Sequence, residues 1–258
     1  MRINKSVSRA IDILQLISQN RNPLTIADIS KSLGIPKSST FEILHTLLGK
    51  NIVEVENENF KAFKLGLKLF EITLLALGKT DLHREARPML EDLMYQTGET
   101  VFLAVEDDGE MVYLGKEEGP SMIRATANLG SRMPLYCTGL GKALLAAYPE
   151  DRIREITGGG RLAPLTRNTI KHYDDLIKEL DSIRRRGYSI DNQECILDVF
   201  CVAAPIYDQT EKPVAAISIA SQAAKMDKEK LEKFAKLVQN AALNISRRLG
   251  FRGEKLFL

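Results

Sequence analysis

Apolar residues recur at helical spacing near the start of the chain, where Val7, Ala10, Ile11, Leu14 and Ile17 predict an amphipathic helix. The breaker Asn20-Arg21-Asn22-Pro23 follows, and Thr25 is placed to cap a second helix carrying Ile26, Ile29 and Leu33. Gly34 ends that helix. Pro36 opens a third within two residues, with Phe41, Leu44, Leu47 and Leu48 aligned on one face. Three short helices with a tight glycine turn before the last describe a helix-turn-helix. Ile52 to Glu56 and Phe60 to Leu65, separated by Asn57-Glu58-Asn59, then predict a small hairpin. That hairpin is the wing of a winged helix-turn-helix over residues 1–65.

The stretch GLKLFEITLLAL comes next, with Leu67, Phe70, Leu74 and Leu77 on one stripe and Ile72 and Leu75 widening it. So broad an apolar surface needs a partner, either the rest of the chain or a second copy. Residues 66–80 are therefore expected to form a linker helix with a role in dimerisation.

Over residues 81–258 strands and helices mix. Thr100 to Glu106 and Glu110 to Lys116 flank Asp107-Asp108-Gly109, a strong hairpin signal. Met122 to Ala127 reads as a third strand. Helices are expected at roughly 140–147, 150–156 and 173–186, the last ended by Gly187. Strands follow at Tyr188 to Asn192, Val199 to Tyr207 and Val214 to Ala220. A long closing helix bears Leu231, Phe234, Val238, Ala241, Ile245 and Leu249, and Gly250 stops it. Hairpins grouped together with helices at their edges predict an α+β domain around an antiparallel sheet.

Composition leaves this picture intact: 258 residues, 44% hydrophobic and 27% charged, are those of a globular protein with ample core. The net charge of +2 does not announce nucleic acid, so a basic surface has to be local. Cys137, Cys195 and Cys201 are too few and too scattered for a disulfide framework. The start MRINKSVSRA has no apolar signal region and nowhere do 18 apolar residues run together. A cytoplasmic location with no membrane partner is the expectation.

The third helix, GIPKSSTFEILHTL, is the candidate for reading DNA. Its polar face offers Lys37, Ser38, Ser39, Glu42, His45 and Thr46. Short hydroxyls and a lysine at a helix start suit phosphate and base-edge contacts. Lys5 and Arg9 on the first helix, with Lys61 and Lys64 near the wing, add local positive charge. The alternative is a three-helix interaction domain that never touches DNA.

No pair among His45, His83 and His172 and the cysteines has metal-ligand spacing, so neither metal nor cofactor is expected. A nucleophile built from Cys137 and His172 is the one enzymatic reading, against the commoner role of a buried cysteine as a small apolar residue. The stretch YCTGLGKALLA, residues 136–146, suggests a phosphate loop but fails the test. Tyr136 stands where its first glycine belongs, and Ala143 follows Lys142 where a hydroxyl is needed. Two readings stay open: the amides near Gly139 and Leu140 hold a small anion, or the glycines permit close helix packing.

SVSRAIDILQLI, LTIADISKSLGIPKSSTFEILHTL and FKLGLKLFEI resemble the DNA-binding half of the IclR family of bacterial transcriptional regulators. TGETVFLAV, LGSRMPLYCTGLGKALLA, RRRGYSIDNQE and CVAAPIYD with PVAAISIA resemble the family's second half in order and spacing. The resemblance implies a winged helix-turn-helix, a linker helix and a GAF-like domain that binds a small effector, with dimers or tetramers acting on double-stranded operator DNA. It implies a non-enzymatic regulator, with a repressor expected, controlled by a small organic acid such as a keto or sugar acid. The effector positions it implies are Met133, Thr138, Gly139, Leu140, Asp191, Val199, Cys201 and the hydroxyl of Ser218. A carboxylate is expected on the amides near Gly139, with Thr138 and Ser218 donating to it and Arg124 adding charge. The chain departs from the pattern at Glu42, where a basic residue is frequent, at Asp198, where glycine is usual, and at Ala220, where some members carry serine. The competing reading is a constitutive DNA-binding protein whose second domain only oligomerises.

Overall fold

The computed structural model describes residues 3–57, 62–77, 81–120 and 127–257. The chain folds as two compact units, Met1–Lys79 and Thr80–Leu258.

In the first unit, α1 (Lys5–Gln19), α2 (Ile26–Leu33) and α3 (Lys37–Gly49) enclose a core with a small sheet of β1 (Leu24–Thr25), β2 (Val53–Asn57) and β3 (Ala62–Leu65), before α4 (Leu67–Leu77). Thr25 caps α2 in a reciprocal box with Asp28, and Gly34 takes the left-handed conformation that ends the helix. The sheet order is β1-β3-β2, so the expected wing hairpin gains a third, two-residue strand. Ile13, Ile17, Ile29, Ile35, Leu44, Val53 and Phe63 form the core. On α1 the buried residues are Ile13 and Ile17, whereas Val7 and Ile11 of the expected stripe are exposed. Phe41 is also corrected: it is 49% exposed, because Thr40 and Leu44 take the inward positions of α3. The Thr40 hydroxyl reaches back to the Pro36 carbonyl at 3.2 Å, which lets it lie buried without an orphaned polar group. On α4, Leu67 is 64% and Phe70 57% exposed.

The second unit opens with α5 (Asp81–Thr97), a helix absent from the sequence expectation. Pro88 inside it obscures the pattern, since an interior proline costs a helix ~3 kcal/mol. Burial of Ala86, Leu90 and Leu93 offsets that cost. Then come β4 (Thr100–Asp107), β5 (Glu110–Glu117), β6 (Arg132–Pro134), a 3₁₀ turn at Leu135–Cys137, α6 (Gly139–Ala147), α7 (Glu150–Thr157), α8 (Tyr173–Arg186), β7 (Ser189–Asn192), β8 (Val199–Tyr207), β9 (Pro213–Gln222), a second 3₁₀ turn at Ala223–Lys225 and α9 (Lys228–Arg248). Asp108 and Gly109 both take positive φ between β4 and β5, as a tight hairpin turn requires. The strand expected from Met122 lies, up to residue 126, outside the described residues; the short strand β6 was not anticipated.

The six strands form one antiparallel sheet in the order β6-β5-β4-β9-β8-β7. Helices α5 and α9 pack together on one face, and α6, backed by α8, covers the other. The fold is α+β, a winged helix-turn-helix followed by a GAF-like sheet flanked by helices. No helix among the described residues is long and apolar enough to cross a membrane.

Candidate functional site

In the first unit the polar face of α3 is displayed as its periodicity requires. Lys37, Ser38, Glu42, His45 and Thr46 are exposed, and Ser39 is half-buried. Pro36 supplies no side-chain cap, so the first amides of α3 keep their donors turned outward, at the positive end of the helix dipole. Lys5 is exposed and Arg9 half-buried on α1, whose Ser6 and Val7 share a shallow groove with Glu42 and Thr46. The Thr46 hydroxyl is turned onto its own helix, donating to the Glu42 carbonyl at 2.9 Å. Lys61 lies outside the described residues. Lys64 lies 3.8 Å from Glu56 across the wing, so its charge is matched locally.

In the second unit a cavity of about 40 Å³ lies between the start of α6 and the sheet. Its walls bring together Thr138, Gly139, Leu140, Asp191, Val199, Cys201 and Ser218 from the sequence expectation. Phe102, Tyr113, Ala127, Cys195, Ile196 and Ala220 complete it. Of these, Ala220 is one of the departures from the family pattern; the rest were not foreseen, because strand alternation predicts which residues share a face but not which part of that face is left uncovered. Met133 is not part of the wall: it pairs with Met111 between β5 and β6 and packs against the core. Arg124 lies outside the described residues.

Packing requires glycine at one position of the α6 start and holds the other closely. A β-carbon on Gly141 would lie 2.3 Å from the Leu135 carbonyl oxygen, so only glycine lets the helix follow the 3₁₀ turn this closely. On Gly139 it would meet Cys201 at 3.3 Å and Ala203 at 3.6 Å, which seats the helix start on β8. The Ser189 hydroxyl donates to the Gly139 carbonyl and ties the same turn to β7. Thr138 caps α6, its hydroxyl accepting from the Gly141 amide at 3.0 Å and facing Met111 Sδ at 3.4 Å. The hydroxyl thus accepts from its own helix start, and its proton is directed at a thioether, a weak acceptor. The amides of Gly139 and Leu140 stand ahead of the first intrahelical donor, the Lys142 amide, and both residues line the cavity.

Asp191 gives the cavity its electrostatic character. Its carboxylate accepts from the Glu194 amide at 2.7 Å, yet burial pushes its pKa up to about 7, with the nearby Glu194 charge adding to the rise. Burial likewise raises Glu194. Lys142, 1% exposed, donates to Glu194 Oε1 and lies 3.9 Å from Glu179, which in turn binds Arg186 at 2.7 Å. Glu194 Oε2 is buried without a partner among the described residues. Thr166 donates to the Gln193 carbonyl at 2.7 Å and Thr169 to that of Glu194 at 2.6 Å. Lys142 and these threonines thus hold the segment between β7 and β8 that places Cys195 and Ile196 over the cavity. One sequence signal was available, a lone lysine in an apolar helix, since such a charge is buried only when paired. Asp198 ends the segment at φ 64°, a left-handed conformation that aspartate tolerates better than most residues.

Cys137 is fully buried, its Sγ 3.5 Å from the Pro134 carbonyl, and its thiol is pushed far up by a hydrogen bond with Cys195 and by burial. His172 is exposed at the start of α8. A nucleophilic thiolate needs a lowered pKa and a neighbouring base, and this arrangement supplies neither. Among the described residues no group of three or more histidine, cysteine or acidic side chains is disposed to hold a metal.

Two family models match the chain: the IclR helix-turn-helix domain over residues 6–56 and the bacterial transcriptional regulator IclR C-terminal domain over residues 74–247. The chain belongs to the IclR family. Among curated members it is 34% identical to the HTH-type transcriptional repressor AllR of Klebsiella pneumoniae, across 96% of this chain and 91% of that protein. The IclR crystal structure from Thermotoga maritima matches with a TM-score of 0.82 at 34% identity, covering 95% of this chain and 99% of that one. An IclR homologue from Microbacterium hydrocarbonoxydans, complexed with 4-hydroxybenzoate, shares the fold with a TM-score of 0.83 at 22% identity, over 95% and 99% of the two chains. That curated relative is a repressor of transcription.

Proposed function

We propose that this IclR-family chain is a ligand-responsive repressor that binds operator DNA through α3 and a short organic acid through the cavity at the start of α6. The observation that carries the reading is that cavity, lined by the first residues of α6, Ser218 and a buried acid of near-neutral pKa. Free amides at a helix start favour an anion. The Microbacterium homologue's ligand is itself a carboxylate. The cavity is small, about 40 Å³, which favours a short acid over a bulky one.

In the DNA-binding unit the start of α3 enters the major groove with Ser38, Ser39, Glu42 and Thr46 toward base edges and Lys37 on its phosphate rim, while Lys5, Arg9 and Lys61 take further phosphates. The exposed apolar residues of α4 favour self-association into a dimer or tetramer, whose paired α3 helices read half-sites related by a two-fold axis. The ligand acts only through a difference in affinity between DNA-competent and incompetent arrangements.

Titration calorimetry with short keto acids and their primary amides tests this. The acid is expected to bind at least tenfold more tightly than its amide. Asp191 is mostly protonated below pH 7 and becomes a repelling anion above it, so acid affinity should fall by up to about tenfold per pH unit above 7. Equal binding of acid and amide would remove the carboxylate. Failure of any acid to bind, with DNA affinity intact, would favour the constitutive DNA-binding reading.

A further inference from the structure

On α3 the side chains that face away from the core are Ser38, Phe41, Glu42 and His45, flanked by Thr46. Phe41 is the large apolar residue among them, 49% exposed. A ring in that position is not needed by the core, which Thr40 and Leu44 already fill from the same helix. One turn on, the imidazole of His45 lies 5.6 Å away, centroid to centroid, tilted by 38°. The two rings lie against each other on the exposed face of the helix. Directly beside it Glu42 is exposed and offers acceptors only. Ahead of both stand Lys37 and the outward amides of the uncapped helix start, which suit a polyanion.

The edges of base pairs in the major groove present a single apolar group, the 5-methyl of thymine, and a single base whose exocyclic group is donor with no neighbouring acceptor of its own, cytosine through its N4 amino group. An exposed phenyl ring and an acceptor-only carboxylate at adjacent positions match those two features. We infer that Phe41 and Glu42 are the specificity-determining pair of α3, Phe41 packing on a thymine methyl and Glu42 accepting from the N4 amino group of a neighbouring cytosine. The inference rests on the reading of α3 as the recognition helix. It assigns sequence reading to the two residues of the helix least suited to phosphate, and leaves Lys37 to position the protein on the backbone.

The test uses the full chain and selection of bound duplexes from a random-sequence pool, followed by deoxyuridine substitution at each thymine of the selected half-site. Deoxyuridine removes the methyl and nothing else, so the protein is unchanged. One position should lose roughly three- to tenfold in affinity, as expected for one methyl contact. Phe41→Ala should bind the thymine and uracil duplexes equally. Glu42→Gln should shift the selected base from cytosine toward adenine, the usual partner of glutamine. Equal affinity of the wild-type chain for thymine and uracil at every position would overturn the Phe41 assignment. An unchanged selection by Glu42→Gln would overturn that of Glu42. If Phe41→Ala instead weakens self-association while thymine discrimination persists, the ring is a protein contact and the proposal falls. Recovery of no preferred sequence at all would overturn the DNA-binding reading itself, a failure distinct from the others.

Discussion

Helices α3 and α6 both carry a lysine in their first turn and use it in opposite ways. Lys37 is exposed at an uncapped helix start beside hydroxyls, where water or a phosphate is its natural partner. Lys142 is buried on a helix capped by Thr138, and its charge is matched by Glu194 with Glu179 nearby. The residue type is the same, at the first position of α3 and the fourth of α6; the difference that decides their behaviour is desolvation. An exposed lysine keeps its hydration and adds little to folding. A buried one has lost its hydration and must be compensated inside the protein. The contrast separates two kinds of functional surface, one displayed by a rigid helix and one enclosed by elements that must be held together.

The largest expected effect breaks the buried side of this contrast. Lys142→Met leaves the Glu194 carboxylate in the interior without its partner and should cost roughly 3–5 kcal/mol in urea denaturation. Adding Glu194→Leu should recover most of that loss, because both charges are then gone. A single-variant cost below about 1 kcal/mol would mean that water reaches the pair and that the two lysines differ less than their burial indicates.

Gly141→Ala comes next. A β-carbon 2.3 Å from a backbone carbonyl cannot be relieved by a rotamer change, so the 3₁₀ turn or α6 must shift. A loss of about 2–3 kcal/mol is expected by the same denaturation, with weaker acid binding in calorimetry as the helix-start amides move. The smallest effect on folding is at the exposed lysine. Lys37→Ala should change stability by less than about 0.5 kcal/mol. Its readout is DNA affinity, which should fall evenly across sequences while the salt dependence becomes shallower by about one ion. A sequence-dependent loss would give Lys37 a base contact and sharpen the division of labour on α3.

The two surfaces were also unequally legible in the chain. Periodicity placed Lys37, Ser38, Glu42 and Thr46 on the polar face of α3, because a helix turns by a fixed angle per residue. It misjudged Phe41 by assuming that an apolar residue is a buried one, when Thr40, with its hydroxyl turned onto Pro36, fills the inward position. Pro88 hid α5, since propensity counts a proline against a helix and says nothing of the burial that outweighs it. For the cavity, the glycines of YCTGLGKALLA pointed to a helix start. They could not show that Leu135 closes on Gly141 or that Cys201 seats Gly139.

What the sequence by itself determined is therefore local: the helix-turn-helix with its Thr25 cap and Gly34 stop, the Asp108-Gly109 hairpin, most strands of the α+β unit and the order of motifs that places the chain in its family. These rest on interactions between residues a few positions apart. The tertiary structure decided the rest: that Lys142 pairs with Glu194 across 52 residues of chain, that Asp191 is buried deeply enough to be half-protonated near neutrality, and that the space beside Gly139 is small. Desolvation and cavity volume depend on which distant segments exclude water from one point, and no local pattern records that.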